Sequence, residues 1–253
     1  MDATSSLSHV LADGGGRNVA ASPIAKAYLI NRADRPDRLR ACKRNMARIG
    51  WTMPTEVWPA VIAAEARGFP SAAVRGCFLS HLGVLREARR LGLARVLILE
   101  DDCDLDATAI NAIGLLNASY WELAYLGHNQ ELTPTQPFSA CDAERRVLCL
   151  HCYAVDASVL GLLVGFFESC IDRSNERSPA YPDGALNMFR AAYPDVRTLL
   201  ASPPVAFQRS TRSDLAPSWF DRVPGLRQLA EQARVIRGSL RSRPARQGLL
   251  FRG

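Results

Sequence analysis

Ala94-Arg95-Val96-Leu97-Ile98-Leu99-Glu100-Asp101-Asp102-Cys103-Asp104 passes from four continuous apolar residues straight into four acids within five positions. An apolar run without alternation reads as a central strand covered on both faces, the habit of parallel strands. Upstream, Val74, Phe78, Leu82, Leu85 and Ala88 fall at spacings of four, four, three and three. They draw one apolar stripe of a helix, and Gly92 stops it. Farther upstream, residues 25–30 predict a strand, and Pro36 opens a helix with Asp34 or Arg35 at its cap, which Gly50 ends. Residues 57–62 form a weaker strand candidate interrupted by Pro59. Downstream, residues 121–126, 147–155, 197–201 and 205–208 predict strands, while 157–170 and 183–192 predict helices. Strands alternating with helices give an α/β fold with a mainly parallel central sheet flanked by helices.

The chain has 253 residues, of which 48% are hydrophobic and 22% charged, a balance that suits one large domain and excludes wholesale disorder. Residues 1–22, rich in Ser, Ala and Gly, read as a flexible leader, 23–215 as the main domain, and 216–253 as a basic helical tail. No stretch reaches the ~18 apolar residues of a membrane span. The first residues lack a basic segment followed by an apolar one, so the expectation is no secretory signal and a cytoplasmic placement.

The formal net charge is +6, from 29 Arg and two Lys (Lys26 and Lys43) against 25 acids. From Arg209 onward the net is +7, leaving −1 for residues 1–208. A nucleic-acid-binding protein would spread its basic residues over a face of the body, with aromatics or a recognised module. The body is neutral, so no nucleic-acid partner is expected. In the tail, Leu226, Leu229, Ala230, Ala233, Ile236 and Leu240 lie at helical spacing beside Arg227, Arg234, Arg237 and Arg241. Such a helix suits an anionic membrane surface, which would make the protein peripheral on the cytoplasmic face, or it packs on the body as an ordinary solvated helix.

Seven cysteines, an odd number, read as reduced thiols. Cys149-Leu150-His151-Cys152 has CxxC spacing but sits in an apolar run with no second CxxC to complete a zinc site, so burial is the expected role.

Ligands of open α/β sheets bind beyond the carboxyl ends of strands. Glu100, Asp101, Asp102 and Asp104 lie at such an end, and they repel one another unless a cation or donors offset the charge. Mn²⁺ and Mg²⁺ favour carboxylate oxygens, commonly with substrate phosphates completing the shell. The competing reading makes these acids the start of the next helix, with Asp106 capping residues 107–116. A haloacid-dehalogenase-like phosphohydrolase would use Asp102-Cys103-Asp104, but its chemistry needs a later lysine, and both lysines lie upstream. A receiver domain would place its acids after the first strand, whereas two units precede them here.

Tyr28-Leu29-Ile30-Asn31 with Arg35-Pro36-Asp37-Arg38, then Gly76-Cys77-Phe78-Leu79-Ser80-His81-Leu82, then Val96 to Asp102 occur in this order. Together they resemble glycosyltransferase family 25, the lipopolysaccharide and procollagen galactosyltransferase group. The likeness continues more weakly through His151 to Val155, Tyr181-Pro182-Asp183 and Gln208 to Ser213, covering about residues 25–215. It implies a GT-A-like nucleotide-sugar transferase fold, a UDP-sugar donor (usually UDP-galactose), a divalent metal (Mn²⁺ or Mg²⁺), inversion at the anomeric carbon, and a glycan or glycolipid acceptor of the cell surface.

Under this resemblance Asp102, with Asp104 and Glu100, holds the metal, and Glu100 has the alternative of orienting a neighbour. Asn31, Arg38 and Asp101 meet the donor, with a solvated helix position the alternative for Arg38. Ser80 and His81 do not form a nucleophile–base pair, because adjacent helix residues point about 100° apart. The resemblance gives Ser80 a donor-site role and His81 a donor-site or structural one, against a simply packed histidine for His81. Asp183 is the candidate base on the acceptor hydroxyl, with helix capping the alternative. His128 is a second candidate base or an acceptor contact, and Gln208 and Ser213 are candidates to close the site.

Overall fold

The computed structural model describes residues 22–133, 135–172 and 181–209. The elements run β1 (Lys26–Asn31), α1 (Pro36–Arg48), β2 (Thr55–Pro59), α2 (Ala72–Arg90), β3 (Arg95–Glu100), β4 (Cys103–Leu105) and α3 (Ala109–Asn117). They continue β5 (Leu123–Tyr125), β6 (Phe138–Ala140), β7 (Cys152–Asp156), α4 (Ala157–Asp172), α5 (Pro182–Ala192), β8 (Thr198–Ala201) and β9 (Ala206–Gln208). One seven-stranded sheet has the order β2-β1-β3-β7-β5-β8-β6, and β4 pairs with β9 in a separate ribbon.

The protein is therefore an α/β structure with the expected sheet, and strand direction refines the description. Five strands (β1, β2, β3, β5 and β8) run one way, while β6 and β7 run against them. Burial explains why the β3 run does not alternate. Val96 and Ile98 face one core with Tyr28, Ile30, Tyr153 and Val155, covered by α2, α4 and α5. Leu97 and Leu99 face the other with Ala27, Leu29, Cys152 and Ala154, covered by α1 and α3. Successive strand residues alternate faces, so a strand with helices on both sides must be apolar throughout.

The apolar stripe of α2 is buried at all five positions read from the sequence. Ser71 caps that helix by accepting a hydrogen bond from Val74 N at 3.1 Å. Gly50 and Gly92 end α1 and α2 at φ +74° and +62°, the left-handed region where a side chain would be strained. Pro59 is tolerated because β2 lies at the sheet edge. Two local expectations change. Glu100 ends β3, Asp101 and Asp102 form a turn and Asp104 lies on the short strand β4, and α3 begins two residues late with Thr108 at its cap; Asp106 Oδ1 instead accepts from Thr108 N and Oγ1 in the preceding turn. Residues 147–151 precede β7 and are not part of it.

From β1 the chain passes through α1 to β2 on one side, then through α2 back to β3 on the other. The carboxyl ends of the parallel neighbours β1 and β3 lie side by side at one edge of a crevice, the usual place for a ligand in such sheets. Among the described residues, no helix is long and apolar enough to cross a membrane. The leader and the tail lie outside the described residues.

Candidate functional site

A cavity of about 280 Å³ opens at that crevice. One wall is apolar, built from Ile30, the 60–63 segment after β2, and Ala72 and Ala73 at the start of α2. The opposite side is polar, with Arg32, Arg38, Ser80, His81, Glu100, Asp101, Asp102 and Gln208. A pocket with one apolar wall and convergent charged groups is the usual form of a small-molecule site.

The three consecutive acids meet different fates. Asp101 points toward the first unit of the chain. Its Oδ2 accepts from Asn31 Nδ2 at 2.7 Å, and its Oδ1 accepts from Arg38 Nη1 at 3.1 Å. Burial pushes its carboxyl up, and Arg38 and Asn31 offset this only in part. Asn31 also donates to Arg35 O at 3.2 Å, so it ties the end of β1 to the cap of α1. Glu100 accepts at 3.1 Å from His81, whose other nitrogen meets the Tyr153 hydroxyl at 3.1 Å. Burial works to raise the Glu100 pKa, but the His81 hydrogen bond and the positive groups nearby outweigh it and hold the carboxyl low.

Asp102 is the acid left without an adequate partner. It is 8% exposed; its Oδ2 accepts from Gln208 Nε2 at 3.2 Å, and its Oδ1 is buried with no hydrogen bond. Burial first, and then the Glu100 charge, push its pKa up to about 7. An orphaned carboxylate oxygen on the wall of a cavity, raised by a like charge next to it, is a site that fits a cation. Asp102 and Glu100 are the oxygen donors suited to Mn²⁺ or Mg²⁺, which take one or two carboxylates and leave positions for phosphate.

Asp104 does not join them. It sits on β4, where Arg209 holds both its oxygens, one through Nε at 3.1 Å and the other through Nη2. It lines a separate depression with Ala41, Arg44, Asn45 and Arg48. Asp104 is thus found with Arg209 at this depression, and it is absent from the cavity lining that holds the other three acids.

His128 is not in the cavity lining. It is buried, its Nε2 donates to Ala201 O at 2.8 Å, and its Nδ1 accepts from Gln130 N at 3.1 Å. Both ring nitrogens are occupied by backbone, and burial lowers its pKa, so the ring fixes a loop and has no free nitrogen for a proton transfer.

Ser80 has a positioning role. Its Oγ donates to Gly76 O at 2.7 Å and accepts from Val61 N at 2.8 Å, pinning the apolar wall to α2. Gly76 allows that approach, because a Cβ there would overlap Val61 O. Gly76→Ala is therefore expected to push the 60–63 wall off the helix. It should cost about 1–3 kcal/mol of stability and narrow the cavity, seen as a lower Tm together with weaker ligand binding; an unchanged Tm would show that the wall yields freely.

Asp183 stands in the first turn of α5, with Oδ1 accepting from Gly184 N at 2.8 Å. It is not in the cavity lining, but its charge reaches Cys77 on the cavity wall and raises that thiol's pKa, behind burial and the charges of Glu100 and Asp102. Ser213 lies outside the described residues.

Sequence reading missed three participants. Arg209, counted with the basic tail, holds Asp104 by its side chain and donates its backbone N to Asp102 O at 2.6 Å. Tyr153 fixes His81 from β7. Cys77 joins His81 and Glu100, a grouping announced only by the four-residue spacing that puts Cys77 and His81 on one helical face.

No family model and no curated protein matches the chain. Solved structures that resemble it include a glycosyltransferase involved in the glycosylation of the major capsid of PBCV-1, at 10% identity over 72% of this chain and 83% of that one, with a TM-score of 0.46. Another is the glycosyltransferase GlyE of Streptococcus pneumoniae TIGR4, at 7% identity over 91% and 67%, with a TM-score of 0.42. A third is mouse xyloside xylosyltransferase 1, at 10% identity over 83% and 80%, with a TM-score of 0.38. At these scores none of them lends a role to any residue of this chain.

Proposed function

We propose that this protein is a metal-dependent glycosyltransferase that uses a nucleotide-sugar donor. The observation that carries the reading is the orphaned, buried Asp102 Oδ1 beside Glu100, on the wall of an amphiphilic cavity at the carboxyl ends of β1 and β3. That cavity suits a nucleoside diphosphate sugar in both its parts. The apolar 60–63 and 72–73 wall suits a base, and the charged end with Arg32, Arg38 and the acids suits a metal-bound diphosphate. A divalent ion held by Asp102 with Glu100 would supply Lewis-acid stabilisation of the departing diphosphate.

The chain's own residues have separable tasks. Arg38 and Asn31 fix Asp101, which in turn fixes the end of β1 against β3. Gln208 holds Asp102 by one oxygen and leaves the other without a donor. Asp183 is the proposed base. As the acceptor oxygen bonds to the anomeric carbon, its proton passes to the Asp183 carboxylate, and the bond to the diphosphate breaks with the electron pair leaving on the diphosphate oxygen. Attack opposite the leaving group inverts the carbon.

The resemblance to family 25 motifs supports galactose from UDP-galactose as the transferred sugar and a cell-surface glycan or glycolipid as acceptor. The basic residues beyond 209 would favour an acceptor held at an anionic membrane surface.

Thermal melts with Mn²⁺ and a panel of nucleotide sugars test the donor class. A donor that raises the Tm only when the ion is present supports the reading, and no response to any nucleotide sugar refutes it. Asp183→Asn is expected to lose transfer by about 10²–10⁴-fold, the usual scale of general-base catalysis, while keeping the donor-induced rise in Tm. Loss of the rise as well would make Asp183 a donor contact instead.

A further inference from the structure

Cys77 and His81 are four residues apart on α2 and face the end of β3, where Glu100 closes the group. One donor atom from each, a thiol sulfur, an imidazole nitrogen and a carboxylate oxygen, lie within 4.8 Å of one another. All three residues line the cavity. We propose that Cys77, His81 and Glu100 form a binding site for a borderline-soft divalent cation, Zn²⁺ by preference, with its fourth position open to the cavity.

Two further observations point to a ligand here. His81 is fully buried, and its ring is held from behind by the Tyr153 hydroxyl, 3.1 Å from Nδ1. Metal-binding histidines are characteristically fixed this way through the nitrogen that does not bind the ion. Next to the group, Asp102 presents a buried oxygen that no donor of the described chain satisfies. A positive charge at the Cys77 group would relieve both Glu100 and Asp102.

The change on binding is simple. Without an ion, His81 Nε2 and Glu100 Oε1 are 3.1 Å apart, as a proton between them requires. With the ion, that proton moves to Nδ1 and is donated to the Tyr153 oxygen, so Nε2 and Oε1 both turn their lone pairs on the metal. Cys77 binds as thiolate, and its proton leaves to solvent. The two negative ligands neutralise Zn²⁺, and water or an anion in the cavity fills the fourth position. Zinc–ligand bonds of about 2.0–2.3 Å place donor atoms within roughly 4 Å of one another, so small side-chain rotations close the set. The sulfur and nitrogen donors separate this site from the all-oxygen preference of Mg²⁺ and Mn²⁺.

The inference rests on these donors and not on glycosyl transfer, so it is tested without nucleotide. The full chain, reduced and metal-free, is titrated with Co²⁺ as a spectroscopic stand-in for Zn²⁺. The expected result is a thiolate-to-cobalt charge-transfer band saturating at one ion per chain and bleached by stoichiometric Zn²⁺. Cys77→Ser and Cys77→Ala should both lose the band and weaken Zn²⁺ binding by tenfold or more while keeping the native circular dichroism, whereas Cys149→Ala should keep the band. Absence of the band at saturating Co²⁺, or its survival in both Cys77 variants, overturns the proposal. The two readings share Glu100, and Cys77 keeps their tests apart: its variants remove the cobalt band while leaving Asp102 and Glu100 in place for the donor-binding melts that test the transferase reading.

Discussion

Asp102→Asn is expected to make the metal-free protein more stable at pH 8 and to reverse that order when Mn²⁺ is added. The sign follows from the raised pKa. In the folded chain the Asp102 carboxyl titrates at about 7, against 3.8 for an ordinary aspartate. The native state therefore holds a proton that the unfolded state has lost between those values. Stability from this group is fully present below about pH 4 and is lost as pH rises through 7. Asparagine carries no charge at any of these pH values, so the variant keeps what the wild type loses. A rise from 3.8 to about 7 sets a ceiling on the order of 4 kcal/mol at ~1.4 kcal/mol per unit. For a chain of this size that is roughly 10 °C in Tm. Glu100 titrates in the opposite sense, its folded pKa being lowered, and it is present in both proteins. Added Mn²⁺ then stabilises the wild type, by taking the place of the missing partner of Oδ1, and leaves the variant unmoved and inactive in transfer. Equal stability at pH 8, with no response to Mn²⁺ in either protein, would remove Asp102 from the metal site.

Part of this site could be read in the sequence because burial leaves a pattern there. Val96 to Leu99 has no polar residue since both faces of β3 are covered, and the α2 stripe is continuous since the helix lies along one core. Pro36 and the glycines at 50 and 92 mark helix ends by local chemistry alone. Pairing across distant segments leaves no such trace. The β4 strand is three residues long with an acid at its centre, and it is a strand only because β9 lies beside it, about a hundred residues away. Nothing local to 152–156 could show that β7 runs against β3.

The same division holds for the acids. That they meet a ligand site is legible from a buried strand ending in charge, but which of them is free depends on partners from elsewhere. Arg209 takes Asp104, His81 takes Glu100, and Arg38 with Asn31 takes Asp101. His128 reads as an available base until Ala201 and Gln130 are seen on its two nitrogens. Charge counting also misled at one residue. Arg209 belongs to the folded body, and its charge is matched by Asp104, so the basic excess begins after it.

Arg38→Ala is the second substitution expected to have a large effect, and its cause is the acid it leaves behind. Asp101 is buried, and its two oxygens accept from Arg38 and Asn31. Removing one partner of a buried ion pair costs about 3–5 kcal/mol, mainly because the remaining charge is desolvated without compensation. The Asp101 carboxyl, already raised by burial, should rise further, so the variant loses stability most steeply above the ordinary carboxylate range. The double variant Arg38→Ala with Asp101→Asn separates this cause from lost packing of the arginine stem. If the stranded charge dominates, the double variant recovers most of the lost Tm, because asparagine can still accept from Asn31 and has no charge to bury. If the two substitutions simply add, the sites are independent and the ion pair is not what joins α1 to the acidic end of β3. Recovery of Tm without recovery of donor binding is the expected combination, since Arg38 lines the cavity and its guanidinium is what a diphosphate would meet.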